Sequence, residues 1–518
     1  MRRGRAQSDG PGEMTIELFA PGMTPLHRVG LAGLAMTLEA LSHDSSADSL
    51  RKMGTWEVTD RSVTLRWDNA GDAFLQELVR CGLRLTDKGL IWFPALGHPL
   101  DSLGQAVALH NALLATFLQH PKSCKTEKRL ETSTIEVDQE PLVVSYAPVQ
   151  SYQHQRVAIR PGGTFKVTGW LFPGGVVRHV AAGNATALVE PAERALALVF
   201  APVGALYFEV HRRTAAVRPG YCVVLPDVES LDSYAETRQL FLRQSVKALH
   251  VSGTSEAAAR VLSEIEAHGI RRRAEAPRCQ VVAFGTAVGS KQQKSRVEVF
   301  SVEVSGREGL DVYRKATVVL PPRLVTTRPD PKTGEVRRFW RVPQTPDLVA
   351  RNVVSGKPWW WSFGGLWESL RAGATANERD WVLWDEREGL QAMVTDEQTM
   401  GSGPEARLVR ACHEAWRRRL GELGERAKSQ GSDFNSLVQG EYERTRISFA
   451  RCKNAAMLRQ TLTDFWSRAG TLPALQEGWA EVLPLLTERW REGRDLALLA
   501  LASYRTEERT TASEEQEA

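Results

Sequence analysis

Apolar positions change rhythm several times along the 518 residues. Residues 14–20, MTIELFA, alternate as a strand does, and after the turn PGM the run LHRVGLAGLAMTLEAL reads as a helix. Thr24 is placed to be its N-cap and Pro25 its first residue, where a missing N–H costs nothing. Gly30, Ala32 and Gly33 leave one face of this helix smooth. Two interior glycines cost roughly 1 kcal/mol each against alanine, so close approach of another backbone is the expected compensation. Over 55–93, WEVTD and SVTLRWD read as strands, DAFLQELVRCG as a helix and LIWFPAL as a further extended run. Residues 101–120 predict a helix ending at His120-Pro121. From 130 to 230 the runs are short and β-like, among them LVVSYAPV, TFKVTGWLF, ALALVFAPV, ALYFEVHRR and YCVVLP, with Gly and Pro between them. Helices follow at 231–248 and 253–270.

CQVVAFGTAV and RVEVFSVEV predict a β-hairpin around GSKQQKS, and a change of alternation at Phe300-Ser301 predicts a bulge. Residues 321–347, rich in Pro and Arg, read as an extended connector. From Pro404 the pattern becomes helical. Segments 404–428, 432–452, 454–469 and 473–504 each carry an apolar face, such as Leu408, Cys412, Trp416, Leu420 and Leu423, and Pro484 is expected to kink the last. Short connections between such helices predict an antiparallel four-helix bundle. The fold class is therefore mixed α+β. The expected division is a disordered leader (1–13), an α+β body (14–275), a basic β-hairpin region with the connector and a tryptophan cluster (276–403), the bundle (404–504) and a disordered tail (505–518).

Charge sharpens this division. Between Arg271 and Arg341 stand 16 Lys+Arg against 7 Asp+Glu, in a chain whose net charge is only +4. A basic segment in an otherwise slightly acidic chain suits a phosphate-contacting surface, because each neutralised phosphate releases counterions; arginines paired to acids elsewhere are the competing account. Lys291, Gln292, Gln293, Lys294 and Arg296 gather at the hairpin tip, where lysines suit phosphates and glutamines suit base edges or solvent. Arg337, Arg338 and Arg341 lie just upstream of Trp359, Trp360, Trp361 and Trp367; aromatics beside arginines can stack on splayed bases, but such rings are mostly core. In the bundle, Arg417, Arg418, Arg444 and Arg451 could line a channel for a single strand, with pairing to Glu422, Glu425, Glu441 and Glu443 as the alternative.

Other chemistry finds little support. The six cysteines include no C-x-x-C pair and no adjacent histidine pair, which argues against a zinc site and a disulfide framework and for a reduced, cytoplasmic protein. No apolar run is long enough to span a membrane. FGTAVGSKQ resembles a phosphate loop, but its glycine spacing is one residue short, Gln292 stands where the magnesium-holding Ser or Thr belongs, and a strand follows it. No H-E-x-x-H or G-x-S-x-G occurs, and no nucleophile, base and orienter stand together.

The string LFAPGMTPLHRVGLAGLAMTL, residues 18–38, is similar to the opening signature of the large subunits of CRISPR Cascade, the type I effector complex, in its myxobacterial subtype. That resemblance implies a non-catalytic subunit without a cofactor. Its implied partners are the backbone and crRNA 5′-end subunits, crRNA, target DNA and a separate nuclease-helicase. It would read a protospacer-adjacent motif, and its C-terminal bundle would resemble the small subunits that guide the displaced strand. For this subtype it also implies a part in fruiting-body development and sporulation. The alternative is a developmental regulator acting through protein contacts. The family supplies no residue-level motif readers here, so the candidate contacts remain those chosen by charge and loop position.

Overall fold

The computed structural model describes residues 10–120, 122–173, 188–211, 220–268, 278–286, 295–303, 307–327, 329, 334, 336, 338–374, 382–476 and 478–505. They pack as two compact units, one from the described parts of 1–211, 218–307 and 322–342, the other from those of 308–321 and 343–518.

The first unit opens with β1 (Gly12–Glu17), followed by α1 (Pro25–His43). Thr24 caps α1 as expected: its N–H donates to His27 Nδ1 (3.3 Å), and its hydroxyl lies 2.8 Å from the same nitrogen. β2 (Gly54–Val58) and β3 (Ser62–Trp67) complete a three-stranded antiparallel sheet in the order β1-β3-β2, and α2 (Gly71–Gly82) follows. α3 (Leu103–Ala115) stops short of the predicted end at 120. β4 (Glu131–Val137) and β5 (Glu140–Tyr146) form a separate hairpin. Of TFKVTGWLF only Thr164–Lys166 is a strand.

ALALVFAPV, expected to be β-like, lies instead in α4 (Ala192–Gly204). An unbroken apolar run has no period to distinguish a strand from a buried helix, and residues 195–204 of α4 are buried on every side. It packs on the smooth face of α1. A Cβ on Gly30 would lie 2.0 Å from the Ala197 carbonyl oxygen, and one on Gly33 would lie 2.4 Å from that of Phe200. The last carbonyls of a helix have no partner within it; here Tyr207 Oη donates to Pro202 (2.9 Å), Arg238 Nε to Val203 (3.3 Å) and Tyr234 Oη to Gly204 (2.7 Å).

β6 (Leu206–Val210), β7 (Gly220–Pro226), β8 (His250–Val251), β9 (Arg278–Thr286) and β10 (Ser295–Glu303) form a five-stranded sheet in the order β8-β6-β7-β9-β10. Only β6 and β8 run parallel. Between β7 and β9 come α5 (Leu231–Arg243) and α6 (Thr254–Ala267), each shorter than predicted. The β9–β10 hairpin, assigned from sequence to a separate middle region, is the edge of this sheet. It has no bulge: the register is unbroken from Arg278↔Glu303 to Thr286↔Ser295. The change in alternation arises because Val299 faces out, 42% exposed on an edge strand, while Val302 faces in at 7%. β11 (Arg323–Thr326) and β12 (Arg338–Arg341) pair antiparallel within the predicted connector.

The second unit is helical: α7 (Arg307–Val319, all but its first residue), α8 (Thr345–Val354), α9 (Phe363–Gly373), α10 (Arg387–Thr395), α11 (Pro404–Gln430), α12 (Phe434–Ala450) and α13 (Ala455–Ser467). The expected fourth bundle helix is not continuous. It is a turn at Pro473–Gln476, then α14 (Trp479–Leu486) and α15 (Trp490–Ser503). Pro484 ends α14 more than it kinks it, its carbonyl accepting from the N–H groups of Thr487 and Arg489. α15 packs on α9 and α10 as well as α11, so the C-terminal helices are not a four-helix bundle set apart. Asp495 of α15, for example, accepts from the N–H groups of Ser362 (3.0 Å) and Gly364 (3.3 Å) at the start of α9. Among the described residues no helix is long and apolar enough to cross a membrane.

Candidate functional site

Lys291, Gln292, Gln293 and Lys294 lie outside the described residues, in the connection from β9 to β10. Arg296 is the second residue of β10, opposite Gly285 on the edge strand. Arg337 is also outside the described residues. Arg338 and Arg341 begin and end β12. Arg338 pairs with Glu140 (3.0 Å) and donates to the Pro141 carbonyl, fastening β12 to the β4–β5 hairpin. Arg341 stands opposite Arg323 in the β11–β12 ladder.

In the second unit Arg417 and Arg418 are exposed on α11, and Arg444 and Arg451 are exposed on and just after α12. Arg418 donates to the Ala469 carbonyl. Arg444 pairs with Glu441 (2.8 Å), a buried carboxylate that also accepts from Arg419 of α11 (2.9 Å). Glu443 likewise holds Arg446 (2.8 Å) and Arg371 (2.7 Å). Part of the basic stripe is thus internal wiring of the helices, and Arg417 and Arg451 remain exposed without an ion-pair partner among the described residues.

The tryptophans divide the same way. Trp359, Trp360 and Trp367 are each 3% exposed and belong to the core with Phe363. Trp361 carries Lys357 over its ring at 5.3 Å, and the half-exposed Trp384 carries Arg387 at 3.9 Å; Trp381 lies outside the described residues.

The first unit also contains a cavity of about 750 Å³, with Trp92, Tyr207, Phe208, Glu209, Arg238 and His250 among its lining. Sequence reasoning passed over a cluster at its wall. Glu209 of β6 and His211, just past the strand's end, are two apart and face the same way, and the parallel ladder sets His250 of β8 opposite Glu209. His211 Nε2 lies 2.9 Å from His250 Nδ1, and Glu209 turns a different carboxylate oxygen to each ring, Oε1 3.5 Å from His211 and Oε2 3.5 Å from His250. The His250 ring stacks on Trp340 of β12 at 4.5 Å. Burial drives Glu209 up to about 7 and His211 down to about 4; it drives His250 down to about 3, with His211 and Arg260 adding in the same direction. A search built on cysteine pairs and H-E-x-x-H cannot see this group. Its signal is the E-x-H of FEVH on a strand, joined to a histidine 39 residues on by a pairing that the sequence does not display.

Residues 15–199 match the family described as the DevT N-terminal domain, and residues 397–518 match the DevT C-terminal domain. Over 527 residues the chain is 33% identical to the CRISPR-associated protein Cas8a1/Csx13 of Myxococcus xanthus (strain DK1622), a likeness covering 95% of this chain and 89% of that protein.

Proposed function

Because the chain belongs to the Cas8a1/Csx13 family of CRISPR-associated proteins, we propose that it is the non-catalytic large subunit of a type I CRISPR effector complex, binding target DNA alongside crRNA-bearing partners. The observation that carries this reading is the likeness over 95% of the chain. The charge distribution supports it. The basic residues of 271–341 include Arg296 on an edge strand, next to a connection that carries Lys291 and Lys294. In this reading that edge and its connection touch duplex DNA near the protospacer-adjacent motif, and a separate nuclease-helicase does the cutting. Arg417, Arg418, Arg444 and Arg451 then guide the displaced single strand, as a small subunit would. The DevT matches at both ends favour a developmental role for the same chain.

The test is to co-express the full chain with its operon neighbours and purify it through a tag on one of them. The chain is expected to co-elute with crRNA, and the complex to bind a duplex carrying the matching target. A chain that elutes alone, with no RNA, would sink the proposal.

A further inference from the structure

We propose that Glu209, His211 and His250 form a binding site for one divalent transition-metal ion of the zinc class. The donor atoms already stand at coordinating separations. His211 Nε2 and His250 Nδ1 stand 2.9 Å apart, Glu209 Oε1 stands 3.5 Å from the first and Glu209 Oε2 3.5 Å from the second, and one donor atom from each residue lies within 4.8 Å of the others. A tetrahedral ion with bonds of about 2.0–2.1 Å sets neighbouring donors about 3.3 Å apart. Two imidazoles and one carboxylate are a borderline-soft set that suits zinc, cobalt(II) or iron(II); magnesium and calcium favour oxygen donors.

Hydrogen bonding alone serves the cluster poorly. Only one proton fits between His211 Nε2 and His250 Nδ1, and the carboxylate stands 3.5 Å from each ring, beyond a good hydrogen bond. His250 is buried, and Glu209 and His211 are partly buried. A dication takes neutral imidazoles as they are and gives the carboxylate its counter-charge. Outer-shell hydrogen bonds commonly orient metal-bound histidines. His250 is held instead by its stack on Trp340, its Nε2 being buried without a partner among the described residues.

Three protein donors leave the fourth tetrahedral position to water or to a molecule in the cavity, which Glu209 and His250 line. The ion would also clamp β8 to β6. β8 is only two residues long, so its ladder is short for a lasting parallel pair.

The experiment uses the full-length chain with its tag removed. Metal content is measured by mass spectrometry, and the chelator-stripped chain is then titrated with Zn²⁺ and with Co²⁺. Near one equivalent of metal is expected, with the intense visible absorption of four-coordinate cobalt. His250→Ala removes a packed ring, so the isosteric Glu209→Gln, together with His211→Ala, decides. Each is expected to weaken Co²⁺ binding by more than about 10-fold, a factor that even outer-shell partners of metal ligands reach, with an unchanged circular dichroism spectrum. No binding of either ion at micromolar concentration by the wild-type chain would overturn the site. So would variants that bind cobalt with wild-type affinity and spectrum.

Discussion

Gly30 of α1 sits so close to Ala197 of α4 that a Cβ on it would lie 2.0 Å from the Ala197 carbonyl oxygen. Backbone leaves no side chain to swing away, so the helices themselves must part. Gly30→Ala is expected to destabilise the first unit by about 1–3 kcal/mol, the usual cost of overpacking, despite its better helix propensity. Gly421 on α11 has nothing within 4 Å of the same added atom. Gly421→Ala should therefore stabilise, by up to about 1 kcal/mol. Urea unfolding of both variants checks the opposite signs.

His110 of α3 makes stability depend on pH. Its Nδ1 accepts from the Ile91 N–H (3.0 Å), so Nε2 carries the proton and donates it to the Ala147 carbonyl (2.9 Å). Burial lowers its pKa from 6.5 to about 4. The unfolded chain then takes up a proton at higher pH than the folded one does. The contribution is complete above about pH 6.5 and is lost as pH falls through about 4, to a total of about 3 kcal/mol. Unfolding midpoints at pH 7 and 4.5 should differ less for His110→Gln than for the wild type; equal differences would remove His110 from the effect.

Glu386 is 1% exposed and caps α8 from a distance, accepting from the N–H groups of Gln344 (2.8 Å) and Thr345 (3.0 Å). Glu386→Ala leaves those buried donors short of an acceptor and should cost about 2–3 kcal/mol. Glu386→Gln keeps one acceptor oxygen and should cost less. Thermal unfolding of the two variants gives the order.

Two groups of basic residues separate two roles in DNA binding. Lys291, Lys294 and Arg296 changed together to Ala should weaken duplex binding by the assembled complex and lower its salt slope by about 2–3, near 0.9 per phosphate contact. Arg417 and Arg451 changed to Ala should weaken single-strand binding and leave the duplex slope alone. Fluorescence titrations over a range of salt distinguish the two, and unchanged slopes would take the substituted residues out of the interface.

Residues 400–518 expressed alone would lack what α12 and α15 lean on. Asp495 caps α9, Glu443 bonds Arg371, and Arg446 bonds Glu368. The expectation is a loosely structured fragment, whereas 307–518 unfolds cooperatively. Circular dichroism against temperature compares them, and a cooperative transition in the shorter piece would show that the last helices suffice.

Local patterns were legible where the cause is local. Thr24-Pro25 announces α1, its glycines announce a close neighbour, and YCVVLP and the hairpin runs announce β7, β9 and β10. What the sequence hid depends mostly on partners distant in the chain. ALALVFAPV is a helix because α1 and the side chains of Tyr207, Tyr234 and Arg238 surround it. Of the candidate contacts, Arg444 makes the intrahelical pair with Glu441 that the sequence offered as its alternative, whereas the pair of Arg338 reaches back to Glu140 and is not legible in the sequence. Glu209, His211 and His250 meet only through the β6–β8 ladder.

The chain enters the second unit at Glu308, returns to the first for residues 322–342, and leaves again. During synthesis the first unit therefore cannot close when its five-stranded sheet emerges. Trp340, which stacks on His250, and Arg338, which fastens the β4–β5 hairpin, leave the ribosome only after α7 has been made. Domains generally finish in N- to C-terminal order; here the earlier one waits for a segment that follows the first piece of the later one along the chain, and a ribosome stalled before residue 342 would hold both units incomplete.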